Sequence, residues 1–69
     1  MNFGNLVDKS WESKTAKEIL AGPPSALEGL TEKHDEKLAE LGIKSVRQLA
    51  NWKYARRARA LADLADTDK

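Results

Sequence analysis

The sequence predicts an all-α fold, a compact bundle of four to five short helices. Apolar residues recur at helical spacing from Ser13 onward, and Ser or Thr stands three residues before Glu or Gln ahead of several apolar runs. No strand-like alternation, Asn-Gly hairpin signal or internal repeat competes. Length sets the scale: 69 residues make one domain with one thin core. Ten of its 28 apolar residues are Ala, nine are Leu, and only four are aromatic, so the core is marginal and stability rests on helix packing or on a partner.

Residues 1–12 follow neither period and read as an N-terminal arm, with Phe3, Leu6, Val7 and Trp11 available to dock on the body. The helical domain spans residues 13–66, and residues 67–69 form a tail. Good helix formers run from Ser13 to Ala21. Thr15 and Glu18 have capping-box spacing, Ala16, Ile19 and Leu20 share one side, and Gly22 ends the helix. Pro23 and Pro24 forbid its continuation, and Ser25 to Glu28 repeats the capping-box spacing for about one more turn before Gly29. Thr31 caps a helix from Glu32 to Leu41, with Gly42 placed for a left-handed stop. His34, Leu38 and Leu41 fall on one side of it, and Glu32, Lys33, Glu36, Lys37 and Glu40 cover the other. Ile43, Val46 and Leu49 then recur every three residues in a short helix to Ala50, with Ser45 and Gln48 at capping-box spacing. Asn51 breaks that helix and caps the last one, about Trp52 to Ala65. Its inner face holds Tyr54, Ala55, Ala58, Leu61, Ala62 and Ala65 within roughly 120°. Lys53, Arg56, Arg57 and Arg59 occupy an opposing arc of about 160°.

The run from Leu27 to Leu38, followed by Leu41 to Ala50, resembles a helix-hairpin-helix module over about a third of the chain. Leu27, Gly29 and Leu30 match the hairpin, Leu38 and Leu41 the helix after it, and Gly42, Ile43, Val46 and Leu49 the segment that packs back. The resemblance implies a helix-hairpin-helix-like centre and nonspecific DNA binding, with hairpin backbone N–H groups meeting a phosphate at a helix N-terminus. The departures bear on function. Thr31 replaces the second Gly and caps the same donors. Glu32, Asp35 and Glu36 stabilise the helix dipole but repel a phosphate. Asp35 stands where the family has a small apolar residue, and Pro23-Pro24 truncates the preceding helix. The scaffold is therefore expected, and its standard DNA contact is expected to be lost.

Composition narrows the function classes. With no Cys there is no disulfide, thiolate zinc site or thiol nucleophile, and a single His with carboxylates is a poor basis for a transition-metal site. No metal, cofactor or small-molecule substrate is expected. Neither a signal-peptide pattern nor an apolar run of about 20 residues is present, so the expectation is a soluble cytoplasmic protein without a membrane role. Carboxylates at i, i+4 among Lys33 and Lys37 are what a solvated helix face contains, and His34 reads as a core-edge or surface residue. The chain is too small to enclose a pocket of a few hundred Å³, so no enzyme is expected.

The functional signal is charge placement. The net charge of +1 conceals −1 over residues 1–31, −2 over 32–42, +6 over 43–60 without one acid, and −2 over 61–69. Lys44, Arg47, Lys53, Arg56, Arg57 and Arg59 form the basic stretch, with Trp52 and Tyr54 inside it. Tyr54 reads as core. Trp52 lies off the inner arc, free to stack on a base, contact a partner or be held by the preceding turn. The expected function is a non-catalytic interaction module, an adaptor or accessory subunit whose basic helix meets an acidic surface of a partner protein. The alternative is a nonspecific nucleic-acid binder using the same helix, against the plain reading of a solvated Arg-rich helix balanced by Asp63, Asp66 and Asp68.

Overall fold

The structure, a computed structural model, describes residues 5–67, so Phe3 and the end of the tail lie outside the described residues. The chain is all-α, with four α-helices and no strands among the described residues: α1 (Ala16–Ala21), α2 (Glu32–Glu40), α3 (Val46–Ala50) and α4 (Lys53–Thr67). Two 3₁₀ turns, Lys9–Trp11 and Pro24–Ala26, complete it.

Each short helix is bounded by the caps its sequence carries. At α1 the Thr15 hydroxyl accepts the Glu18 N–H at 3.1 Å and the Glu18 carboxylate accepts the Thr15 N–H at 3.0 Å. The helix is shorter than the predicted Ser13 start, because the Thr15 cap itself sets the first turn. The predicted capping turn at Ser25 takes another form. Pro24–Ala26 is a 3₁₀ turn, and Ser25 turns its N–H and hydroxyl to Asp35 at 2.8 and 2.6 Å. Asp35 therefore ties α2 to this turn. Gly29, at φ +96°, follows, with the Leu30 N–H bonded to the Leu27 carbonyl.

The end of α2 follows a Schellman pattern. Gly42 sits at φ +83°, its N–H bonds to the Ala39 carbonyl at 2.9 Å, and the Ile43 N–H bonds to the Leu38 carbonyl at 2.9 Å. The reversal buries Ile43 and leaves Leu41 exposed, although the period places Leu41 inward. The helical wheel ceases to apply one residue before Leu41, where α2 stops. At α3 the Ser45 hydroxyl accepts the Gln48 N–H, and Gln48 reaches back to the Lys44 N–H at 2.6 Å. Asn51 closes α3, and α4 starts at Lys53, so Asn51 does not serve as its cap.

The core gathers Val7, Ile19, Ala26 and Val46, with Trp11, Leu20 and Leu27 packed against it. Residues 5–12 join this core. Val7 is buried, and the Asp8 N–H and Leu6 carbonyl bond to the Ala26 carbonyl and Glu28 N–H in a single antiparallel bridge. The Trp11 indole lies over Gly22. The Val46 N–H bonds to the Gly22 carbonyl at 2.9 Å, fixing α3 beside α1.

A helix of 15 residues is about 22 Å long. α4 packs on α3 near its start and then runs clear of the core, with no buried residue. The radius of gyration is 13.7 Å, against about 11 Å for a compact chain of this length. The extents of 41 × 31 × 19 Å are those of a small body with a projecting helix, not of a compact bundle.

Candidate interaction helix

The projection of α4 overturns the prediction of an inward Ala-rich face. Tyr54, Leu61 and Leu64 are 54%, 68% and 65% exposed, and Ala55, Ala58 and Ala65 are exposed as well. Ala62 is half-buried. Amphipathic spacing marks a face suited to burial without supplying what covers it. Of the two aromatics, Tyr54 is displaced from the core predicted for it, and Trp52 takes the one of its three open places in which the preceding turn holds it. Trp52 is half-buried in the joint between α3 and α4, while Tyr54, read as core, lies outside.

Tyr54 instead organises the cations. Its ring meets Trp52 edge-on, with centroids 5.9 Å apart and planes at 81°. The Lys53 ammonium and the Arg57 guanidinium lie over the same ring at 5.1 and 5.7 Å. Lys53, Arg56 and Arg57, with Ala60, line a shallow open hollow of about 380 Å³. These three bases keep their charge toward solvent. Arg59 does not: it meets Asp63 at 2.8 Å and Asp66 at 3.9 Å, pairs on an exposed surface.

The structure thus brings together Trp52, Lys53, Arg56 and Arg57 of the predicted site and engages Arg59 in local ion pairs. Lys44 and Arg47 are exposed before and on α3, without an ion pair among the described residues. The helix end that the sequence comparison with a DNA-binding hairpin draws attention to is closed by its own residues. The Thr31 N–H donates to His34 Nδ1 at 2.9 Å, and the Thr31 hydroxyl lies 3.3 Å from the same nitrogen. His34 is thus a capping residue at an exposed helix start, a role its spacing from Thr31 discloses only if His is counted among capping-box acceptors.

Two further features were not singled out by sequence reasoning. An open apolar depression of about 210 Å³ on the body is lined by Leu6, Val7, Ala16, Ile19, Leu20 and Leu27. The other is the exposure of the apolar side of α4, a face that periodicity marks but places inward. Among the described residues no helix is long and apolar enough to cross a membrane, and no three metal-ligating side chains converge. No protein-family profile, curated protein or solved structure matches the chain.

Proposed function

We propose that the chain is a non-catalytic interaction module, an adaptor or accessory subunit, and that α4 is its docking element. Lys53, Arg56 and Arg57 meet an acidic surface of a partner protein, with Trp52 and Tyr54 holding the cluster in place. The body has a helix-hairpin-helix-like centre, a reading supported by the left-handed Gly29 and Gly42 on either side of α2.

One observation carries the reading: α4 leaves the body with three bases around an open hollow and bulky apolar residues beside them. Large exposed apolar residues next to Arg are what protein interfaces use. For a nucleic-acid groove the helix is poorly charged, because Arg59 is paired with Asp63 and the carboxylates of Asp63 and Asp66 share the surface. Tyr54 is already clasped by two cations, which occupies a face on which a base would stack.

Titration into labelled single- and double-stranded DNA and RNA tests the choice, beside a variant with Lys53, Arg56 and Arg57 changed to Ala. The expected result is no micromolar binding at about 0.15 M salt. Micromolar binding that falls steeply with salt and disappears in the variant would make the chain a nucleic-acid binder instead.

A further inference from the structure

Three like charges share one hollow on α4, and nothing in its lining balances them. Lys53, Arg56 and Arg57 stand at i, i+3 and i+4, with Ala60 at i+7, so one face of the helix carries all four. At 100° per residue Ala60 lies about 20° from Lys53, and Arg56 and Arg57 stand about 40–60° to either side. The small Ala60 side chain leaves open the space of about 380 Å³ among the cations. No carboxylate lines it. Among the described residues none of the three bases has an ion pair, whereas Arg59, farther round the helix, has Asp63 and Asp66. Like charges at i, i+4 on a helix repel, so the cluster weakens its own helix until an anion arrives. The Tyr54 ring holds the Lys53 ammonium at 5.1 Å and the Arg57 guanidinium at 5.7 Å, which keeps two of the three cations together.

We infer that the anion taken by this hollow is a phosphate monoester carried by the partner protein, a phosphoserine or phosphothreonine within an acidic segment. The inference rests on the docking role proposed for α4 and specifies the group that docks. A carboxylate brings one charge and two oxygens, which leaves most of the cluster unmatched. A phosphate monoester brings about −1.5 to −2 charges and three acceptor oxygens on one centre, so a single group answers all three bases. Arg56 and Arg57 present planar forks suited to phosphate oxygens, and Lys53 adds a point charge on a flexible stem. A nucleic-acid backbone brings only one charge per phosphate and matches the hollow less well.

A short peptide with phosphoserine between flanking Glu residues, titrated into the full chain at about 0.15 M salt, tests this. It is compared with the same peptide carrying Ser or Glu at the centre, and with inorganic phosphate. Shifts of the Arg56 and Arg57 Nε–H resonances read occupancy of the hollow. The phosphopeptide should bind at least about tenfold more tightly than the Glu peptide. That margin should shrink as pH falls from about 7.5 to about 5.5, because the phosphate takes up its second proton near pH 6. Changing Lys53, Arg56 and Arg57 to Ala should abolish the margin, and circular dichroism verifies that the helices persist. Equal binding of the phosphopeptide and the Glu peptide would overturn the phosphate preference and leave the acidic-partner reading standing. Inorganic phosphate as tight as the phosphopeptide would overturn it by making this a free-anion site, and so would a margin that survives the triple change. If the phosphopeptide fails to bind, the inference falls, and cross-linking from the hollow to a protein then decides the docking reading by itself.

Discussion

At the scale of single residues, the body depends on a few close fits. A Cβ on Gly22 would stand 2.7 Å from Trp11 Cη2 and 2.8 Å from Cζ3, both in a rigid ring. Gly22→Ala should cost about 1–3 kcal/mol in a urea unfolding curve, and Gly22→Ala with Trp11→Leu should recover part of it. Asp35 accepts both polar hydrogens that Ser25 offers, in a half-buried setting. Asp35→Ala removes both bonds and is expected to cost about 1–3 kcal/mol on the same assay. Ser25→Ala keeps the backbone bond and should cost less. Glu18 gives a pH dependence. Bonds from the Thr15 backbone N–H and then its hydroxyl hold its carboxyl below the ordinary 4.5. A lowered folded-state value means that this contribution is complete above the ordinary value and is lost as pH falls through the lowered one. Unfolding measured between about pH 5 and pH 3 should show that loss, and Glu18→Gln should flatten that part of the profile.

The elements divide into those the sequence discloses and those it does not. Caps are local, so Thr15 with Glu18, Ser45 with Gln48, and Gly42 are legible from spacing alone. The link from Ser25 to Asp35 spans ten residues and a turn, and reading Asp35 as a departure from a hairpin pattern conceals its structural use. The orientation of α4 is illegible for a different reason. Periodicity predicts which residues share a face, and the face is real, but the covering surface is a tertiary fact that this chain does not supply. The same limit placed Tyr54 in the core and left three places open for Trp52. Two outcomes follow at this scale. Leu61→Asp or Leu64→Asp, measured at low concentration, should change stability by no more than about 0.5 kcal/mol, because neither side chain is buried. A Leu61 packed on the body would instead cost about 2–5 kcal/mol when truncated to Ala. For α2, His34→Ala should destabilise by about 0.5–1 kcal/mol, and His34→Gln should recover most of it by offering the Thr31 N–H another acceptor.

The whole molecule is a small packed body from which one long helix projects. Among the described residues the buried apolar side chains, Val7, Ile19, Ala26, Ile43 and Val46 with Pro24, are few for a domain of this size, and the large exposed apolar residues sit mostly on the helix that leaves it. The buried side chains that stabilise the chain thus lie in the body, and α4 is the proposed recognition element. The candidate cations were legible as a charge run, since six bases without an acid stand out in a nearly neutral chain. Their division was not: Lys53, Arg56 and Arg57 share a hollow, Arg59 is paired, and Lys44 and Arg47 stand apart, before and on α3. Ala60 lies in that hollow. Replacing it with a photo-cross-linking side chain in the cell of origin tests the central claim most directly. Adducts to a protein are expected, through peptides rich in Asp and Glu, and they should vanish when Lys53, Arg56 and Arg57 are changed to Glu. Adducts to nucleic acid, or protein adducts unaffected by that charge reversal, would contradict it.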